Sequence, residues 1–297
     1  MDVLVSGSTG LLGSALVPAL KNAGHRVRSL TRSGDSSEDT VRWNPSAGTI
    51  DAAVLEGIDA VVHLAGENIV GRWTSAKKTR IRDSRVQGTR LLSETVATLS
   101  TPPGVMISAS ASGYYGDRGN ELLTEESASG DNFLAVVCRE WEAAADPARE
   151  AGVRVVHPRI GIVLSPKGGA LGATLPIFRF GGGGRIGSGG QYWSWISIDD
   201  VVGVLLHALA TDSLEGPVNA AVPDPPTNAE YTRTLGRVLG RPTIFPLPAP
   251  VARLALGQVA AELLLASQRM EPDRLRESGY SYRYPELEGA LRHLLGE

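Results

Sequence analysis

The sequence predicts an α/β fold in which a doubly wound, mostly parallel sheet is followed by a small, mainly helical C-terminal lobe. Three observations support this prediction. Strand-length apolar runs alternate with helical patterns up to residue 222, the first run ends in a glycine-rich turn, and prolines accumulate from Pro223 onward. We therefore expect one domain over residues 1–222, with segments that face a substrate around 165–198, and a second domain over residues 223–297.

The first strand and the first helix are joined by a turn with the spacing G-x-x-G-x-x-G. An apolar run over residues 3–5 precedes it, and Leu12, Leu16 and Leu20 follow at helical spacing. In dinucleotide-binding folds such glycines form the tight turn, let the backbone approach a pyrophosphate and let the helix pack on the sheet. The helix N-terminus also favours negative charge. We predict that the cofactor phosphates bind to Gly7, Ser8, Thr9, Gly10, Leu11, Leu12 and Gly13.

Composition excludes several classes of protein. The chain has 297 residues, of which 42% are hydrophobic and 21% charged, as in ordinary globular proteins. The net charge of -3 predicts no general attraction to nucleic acid or to an anionic membrane. No apolar run reaches the ~18 residues of a membrane span, and we see no signal peptide. A single cysteine, Cys138, fits a reducing compartment. We expect a cytoplasmic monomer or homodimer with a small-molecule substrate and neither nucleic acid nor membrane as partner.

The end of the second predicted strand, residues 26–32, determines which dinucleotide is expected. Folds that bind NAD usually place an acid there to hold the ribose 2′-hydroxyl. Here Thr31, Arg32 and Ser33 offer two hydroxyls and a guanidinium, which suit a 2′-phosphate. The sequence therefore predicts NADP(H). Asp35, three residues beyond Arg32, keeps NAD open as an alternative, and Arg32 can also be a solvated loop residue.

The near-continuous apolar run over residues 58–66 predicts a parallel strand buried on both faces. Ligands bind outside the carboxyl ends of such strands, and small residues there let a cofactor pass closely. His63, inside the strand, is expected to be a packed and hydrogen-bonded side chain. We assign the strand end to the cofactor and the polar pair after it to the substrate: Leu64, Ala65 and Gly66, then Glu67 and Asn68.

A basic cluster opens the helix predicted over residues 77–96. Arg82 and Arg85 are three residues apart and share one helical face. A run of charges usually marks a solvated face, and this remains the alternative interpretation. We expect Arg85 to contact the cofactor and Arg82 to contact an acidic substrate.

Two later strands end in residues that suit a ligand site. A strand over residues 105–108 runs into a serine-rich segment closed by Tyr114, Tyr115 and Gly116. Another, over residues 153–157, ends at Pro158 and Arg159, where a structural salt bridge is the alternative role of the arginine. We assign Ser108, Pro158 and Arg159 to the cofactor.

The remaining expectations concern the second half of the chain. Residues 181–190 are too rich in glycine for a helix or strand, and they form either a lid or a plain connector. Trp193 and Trp195 beside them are expected to line the substrate pocket. Asp199 and Asp200 are expected to cap a helix, and further helices are predicted over residues 228–239, with Asn228 as the cap, and 250–268.

Taken with the glycine turn, the segment Ser-Ala-Ser-Ala-Ser-Gly-Tyr-Tyr-Gly at 108–116 resembles the extended short-chain dehydrogenase/reductase superfamily, which has a Rossmann fold and includes NAD(P)-dependent sugar epimerases and dehydratases. The motifs at 158–164 and 195–200 and the tail Leu-Leu-Leu-Ala-Ser-Gln at 263–268 are similar to an atypical subgroup. Its members are labelled epimerase-family proteins or nucleoside-diphosphate-sugar epimerases, and they carry a C-terminal domain of unknown function.

The sequence departs from the superfamily at its acid/base pair. A Tyr-x-x-x-Lys is expected on the helix after the fifth strand, where Leu134 and Cys138 stand instead. The resemblance implies an NADP(H)-dependent oxidoreductase or epimerase for an unknown small polar substrate, a nucleotide sugar being one candidate. We predict that the catalytic hydroxyl belongs to Ser110, Tyr114 or Tyr115. The alternative is a non-catalytic protein that binds NADP(H) as a sensor or partner-binding module.

Overall fold

The structure, a computed structural model, describes residues 1–32 and 37–297. Ser33 and Asp35, on which part of the cofactor prediction rests, lie outside the described residues. The strands are β1 (Asp2–Ser6), β2 (Arg26–Thr31), β3 (Thr40–Asn44), β4 (Thr49–Ile50), β5 (Ala60–His63), β6 (Val105–Ser108), β7 (Ser110–Ala111), β8 (Leu122–Leu123), β9 (Arg154–Ile160), β10 (Ile162–Leu164), β11 (Trp195–Ser197), β12 (Gly216–Ala220) and β13 (Arg269–Met270).

Helices alternate with these strands in the first part of the chain and dominate the last part. They are α1 (Leu11–Asn22), α2 (Ser75–Ala97), α3 (Phe133–Ala143), α4 (Asp146–Glu150), α5 (Gly169–Arg179), α6 (Ile198–Ala210), α7 (Asn228–Val238), α8 (Ala249–Leu256), α9 (Asp273–Glu277) and α10 (Leu287–Leu295). No helix in the described ranges is long and apolar enough to cross a membrane.

The central sheet has the strand order β12-β9-β6-β5-β1-β2-β3-β4, and β7 adds to β9. Its pairs are parallel except for the short antiparallel β3–β4 pair. The order reverses at β1, which lies between β2 and β5, so the glycine turn after β1 and the end of β5 are neighbours at one edge of the sheet. This is the crevice where ligands bind in such folds. The predicted doubly wound α/β fold is confirmed.

Alternation along β1 places the core on both faces of the sheet. Val3 and Val5 pack with Leu16 of α1 and Leu205 of α6, whereas Leu4 packs on the opposite face among residues of α2 and α4. These side chains are fully buried, as a sheet covered by helices on both faces requires.

Asp200 joins the C-terminal segment to the sheet. It is fully buried in the first turn of α6. Its carboxylate accepts hydrogen bonds from the backbone N–H groups of Arg283 (2.7 Å) and Tyr284 (3.1 Å), which follow it by more than 80 residues in the chain. The Tyr280 hydroxyl donates to the Asp200 carbonyl at 3.0 Å. The expectation that Asp199 and Asp200 cap the helix is wrong, because the N-cap is Ser197, whose hydroxyl accepts from the Asp200 N–H.

Two further expectations about helices need correction. The helix predicted over residues 250–268 ends at Leu256, because Gly257 takes a φ of +63° in the left-handed region and a π-helical turn over Ala260–Leu264 follows. The N-cap of α7 is Thr227 rather than Asn228, since the Thr227 hydroxyl accepts from the N–H of Glu230 in a capping box.

Replacement of Asp200 tests the role of this contact. Asp200→Ala should lower the free energy of unfolding by about 2 to 3 kcal/mol, because two backbone N–H groups lose their acceptor. Asp199→Ala, at the partly exposed neighbour, should cost less than about 1 kcal/mol, the range of a helix-dipole contact. Urea unfolding followed by circular dichroism measures both. Equal losses for the two variants would contradict this account of Asp200.

Candidate functional site

The glycines of the turn after β1 serve different steric needs. Gly7 has a φ of +69°, and a Cβ atom there would lie 2.9 Å from the Leu64 carbonyl oxygen. A Cβ atom at Gly13 would lie 2.1 Å from the Gly7 carbonyl oxygen, so this glycine lets α1 approach the strand end. Gly10 has an ordinary φ of -74°, and its Cβ atom would meet only the Gly7 oxygen, at 3.2 Å. The chain therefore requires glycine at 7 and 13 for its own packing, but not in the same way at 10.

The N-terminus of α1 faces the space in front of this turn. No side chain caps the helix at Gly10, and its first turn contains no acidic residue. The N–H groups of Leu11, Leu12 and Gly13 lie in this first turn, where the N–H groups of an α-helix have no intrahelical hydrogen-bond acceptor. These N–H groups and the positive end of the helix dipole suit a phosphate. Thr9 and Gly10 are exposed, and Ser8 is partly exposed, beside this position.

Ser6, which sequence reasoning missed, holds the end of β5 against the turn. Its buried Oγ accepts hydrogen bonds from the N–H groups of Leu64 (3.1 Å) and Ala65 (3.2 Å). It also lies 2.6 Å from His63 Nδ1. Burial lowers the pKa of His63 to about 4, so the imidazole is neutral at physiological pH and accepts the Ser6 proton. His63 is thus a packed, hydrogen-bonded side chain, as expected.

The end of β2 lies next to the glycine turn. Ser6 and Leu30 are paired in the parallel register of β1 and β2, so Thr31 and Arg32 continue along the same edge of the sheet. Arg32 is exposed there. Arg32 thus lies at the same edge of the sheet as the glycine turn, and its contact with a 2′-phosphate stays a prediction.

Arg85, for which the sequence predicts a cofactor contact, lies beside the segment that follows β5. Its guanidinium packs against Gly66, where a Cβ atom would be 3.2 Å from Arg85 Cζ. It donates to the carbonyl oxygens of Ile81 (3.0 Å) and Glu67 (3.1 Å), and it lies 5.1 Å from the ring centre of Trp141. Burial lowers the pKa of Arg85 below its usual value, although a guanidinium stays charged. No carboxylate of the described residues lies within ion-pair distance of it.

The predicted substrate residues on this side are held by surface contacts. Arg82 does not join Arg85, because it is exposed and its Nε donates to Glu140 on α3 at 2.5 Å. Glu67 accepts from Lys77 Nζ at 2.7 Å, and this ion pair lowers its pKa. The Asn68 side chain accepts from the Val70 N–H within its own turn. These contacts are those of solvated side chains, and a substrate role for the three stays a prediction.

Arg159 organises the opposite side of the crevice. It pairs with Glu142 of α3 through two hydrogen bonds of 2.9 Å, from Nε to Oε1 and from Nη2 to Oε2. Its Nη1 donates to the Tyr115 hydroxyl and to the Glu125 carbonyl, both at 3.1 Å. Its Cζ lies 3.4 Å from the ring centre of Tyr114. The structural salt bridge that was the alternative role of Arg159 is therefore present, and Arg159 is only 3% exposed.

The three predicted catalytic hydroxyls meet at this network but differ in access. Ser110 is buried and donates to Glu142 Oε1 at 2.6 Å. Tyr115 is fully buried, its hydroxyl donates to Asn219 Oδ1 at 2.6 Å, and burial raises its pKa to about 12. Tyr114 is partly exposed, and its ring packs on the Arg159 guanidinium. A side chain as enclosed as Tyr115 is structural, so we withdraw it as an acid/base candidate.

The strand ends nearby are closely packed. Ser108 is fully buried, and its Oγ has no hydrogen-bond partner among the described residues. Its carbonyl oxygen lies 3.2 Å from His157 Nδ1. Pro158 is buried in β9, where it precedes Arg159. An unpartnered hydroxyl at the carboxyl end of a parallel strand is a group that a ligand or a water can satisfy.

Two expectations about aromatic residues are wrong. Trp193 and Trp195 do not line a crevice, because they are 7% and 1% exposed and pack in the core of the C-terminal part among residues of α5, α7 and α10. The Trp193 indole N–H lies 3.3 Å from the Leu264 carbonyl oxygen. Their position after a flexible glycine run does not reveal this burial.

Leu134 and Cys138, at the superfamily's Tyr and Lys positions, are buried in α3. Burial raises the pKa of the Cys138 thiol to about 12, so it is neither a thiolate nor a cation at neutral pH. The helix therefore supplies no acid/base pair at these positions.

Comparison with known proteins agrees with the fold and the glycine turn. The model of the NAD dependent epimerase/dehydratase family matches residues 3–221, and that of a domain of unknown function, DUF1731, matches residues 247–294. Epimerase family protein Mb2239 of Mycobacterium bovis is 43% identical over 290 residues, which cover 97% of this chain and 96% of that protein.

Two solved structures are also similar over the full length of this chain. The human epimerase family protein SDR39U1, crystallised with NADPH, is 36% identical, with a TM-score of 0.90 and full coverage of both chains. A nucleoside-diphosphate sugar epimerase from Corynebacterium glutamicum is 40% identical, with a TM-score of 0.83, over 58% of that longer chain. With the glycine turn, the strand order and these matches together, this chain belongs to the NAD dependent epimerase/dehydratase family.

Proposed function

We propose that this protein binds NADP(H) and acts as an oxidoreductase or epimerase on a small polar substrate. The observation that carries the proposal is the position of Gly10. Its backbone φ is ordinary, and a Cβ atom there would meet only the Gly7 carbonyl oxygen, at 3.2 Å. A larger side chain at this position, before the first N–H groups of α1, would fill a phosphate site. The NADPH bound to the human relative supports the choice of cofactor class.

The residues at the sheet edge fit the two ends of the dinucleotide. Arg32, at the end of β2, would hold the 2′-phosphate, since guanidinium groups bind phosphate through a planar fork. The nicotinamide end would then lie toward β5, β6 and β9. Arg85 lies beside the end of β5, and the Ser108 hydroxyl at the end of β6 has no hydrogen-bond partner among the described residues. When bound, the nicotinamide donates or accepts a hydride.

Proton transfer in this proposal belongs to Tyr114. It is the one of the three candidate residues that is partly exposed, and its ring packs on the Arg159 guanidinium, which fixes its position at the strand end. Ser110 donates to Glu142 and thereby orients the segment that carries Tyr114. A nucleotide sugar is the substrate candidate that the name of the Corynebacterium relative favours.

A non-catalytic role is the second candidate function. It is favoured by Leu134 and Cys138, which remove the ordinary acid/base pair. In that case NADP(H) binding would change the affinity for a partner rather than support turnover. A panel of carbonyl compounds and nucleotide sugars, with NADPH oxidation followed by absorbance, distinguishes the two functions.

Gly10→Val should abolish binding of NADPH and NADH, because the side chain would occupy the pyrophosphate position. The fold should survive by circular dichroism, since the residue is exposed and its φ is ordinary. Gly13→Ala is the matched variant, and it should destabilise the fold because its Cβ atom would clash with the Gly7 carbonyl. Unchanged NADPH affinity in Gly10→Val, measured by calorimetry, would place the cofactor elsewhere.

Arg32→Ala should weaken NADPH binding by about 1.5–3 kcal/mol, the range for hydrogen bonds to charged groups. NADH binding should hardly change, because NADH lacks the 2′-phosphate. Arg26→Ala, at the other end of β2, is the control and should affect neither cofactor. Equal losses of NADPH and NADH affinity in the Arg32 variant would refute the assignment.

Tyr114→Phe should reduce turnover about 100- to 10,000-fold, as expected for loss of a general acid, while NADPH affinity holds. Tyr115→Phe should instead lower stability by about 1–3 kcal/mol, because the buried Asn219 side chain loses its donor. Turnover is measured on the substrate found with the panel, and stability by urea unfolding. Full turnover in Tyr114→Phe and in Ser110→Ala would show that the proton comes from another group.

A further inference from the structure

Large apolar side chains are concentrated on one part of the surface. Of the ten exposed large hydrophobic residues in the described ranges, seven lie in two segments, at 177–180 and 244–256. They are Ile177, Phe180, Ile244, Phe245, Val251, Leu254 and Leu256. Phe180 is 91% exposed and Leu254 is 89% exposed, so these side chains project from the surface rather than line a groove. Exposed apolar residues clustered in this way mark an interaction surface.

The two segments are joined by backbone contacts. The Phe245 N–H donates to the Gly183 carbonyl at 3.3 Å, and the Leu247 N–H donates to the Arg185 carbonyl at 2.9 Å. The Gly187 N–H donates back to Leu247 at 2.8 Å. The glycine-rich segment, the proline-rich loop and the start of α8 therefore form one continuous surface, which we call the apolar–basic face.

All side chains in this region that are charged at neutral pH are basic. Residues 166–198 and 231–261 contain neither Asp nor Glu, although the whole chain has a net charge of -3. Four exposed arginines lie within or next to the same segments of the chain: Arg179, Arg185, Arg241 and Arg253. None of the four forms an ion pair with a carboxylate of the described residues. The face thus combines projecting apolar groups with uncompensated positive charge.

This combination selects among the possible occupants. A second copy of the chain would meet the face through a two-fold axis, which brings together two faces that both carry unpaired positive charge. A peptide would need a groove, but the apolar side chains project. An anionic bilayer offers both complements, since apolar side chains enter the acyl boundary and arginines pair with lipid phosphates.

We propose that the apolar–basic face docks peripherally on an anionic lipid bilayer, with Phe180, Phe245 and Leu254 inserted and the four arginines at the phosphate level. The net charge of -3 does not reveal this surface, because it is the sum of the basic residues of the face and the acidic residues elsewhere in the chain. The docking is distinct from membrane spanning.

Vesicle flotation of the full chain tests the proposal. The wild type should float with vesicles of phosphatidylcholine mixed with phosphatidylglycerol, should stay behind with phosphatidylcholine alone, and should be released by salt. Phe180→Ser with Phe245→Ser should lower the partition coefficient by about tenfold or more. Arg179→Glu with Arg241→Glu should lower it by roughly fivefold or more for each arginine. Arg90→Glu reverses one exposed arginine on α2, outside the face; it is the control for the effect of a charge reversal as such and should bind as the wild type does.

Three outcomes would overturn the proposal. The first is a wild type that fails to float with the anionic vesicles, and the second is flotation that the patch variants retain in full. The third is a dimer, seen by light scattering, that the Phe180/Phe245 variant converts to a monomer, because a second copy would then occupy the face. Circular dichroism checks that each variant is folded. If the Phe→Ser variant does not fold, the comparison of the Arg→Glu variant with the wild type still tests the proposal.

Discussion

The buried ion pair between Arg159 and Glu142 is the interaction on which the functional side of the sheet depends. Removing two charges from water is costly, and the cost is offset only when the remaining hydrogen-bonding groups are also satisfied. Here Ser110, Tyr115 and the Glu125 carbonyl complete the set. The pair therefore ties α3 to β7 and β9 and fixes the serine-tyrosine segment between them.

This network separates residues that are adjacent in the sequence. Tyr114 and Tyr115 follow one another, yet one packs its ring on the guanidinium and the other gives its hydroxyl to Asn219 of β12. A side chain held by Asn219, Arg159 and a carbonyl cannot exchange a proton with a ligand without breaking buried hydrogen bonds. The structure thus leaves fewer candidates for the general acid than the three hydroxyl residues that the sequence suggests.

Features that depend on neighbouring residues could be predicted from the sequence. The strands around Val3–Val5 and Val61 follow from apolar runs, and the turn follows from the steric need for glycine at 7 and 13. Roles that depend on distant partners could not. The sequence suggests that Asp200 caps a helix, but in the structure its carboxylate binds the backbone of Arg283 and Tyr284. The sequence likewise suggests that Trp195 lines a pocket, but residues of α7 and α10 bury it. Arg82 and Arg85 share a helix face, but only contacts with α3 separate their roles.

The loss of the lysine at Cys138 does not leave this corner of the sheet without positive charge. Arg85 reaches it from α2 and packs on Trp141, which lies three residues after Cys138 in α3. The smallness of Gly66 makes room for the guanidinium, and the carbonyls of Ile81 and Glu67 hold it in place of a carboxylate. Among the described residues no carboxylate lies within ion-pair distance of this cation, so it keeps its attraction for an anion. Arg85 therefore supplies positive charge near the end of β5, where the superfamily has a lysine on the helix that corresponds to α3. The replacement of that lysine by Cys138 is thus consistent with a site that binds a negatively charged ligand.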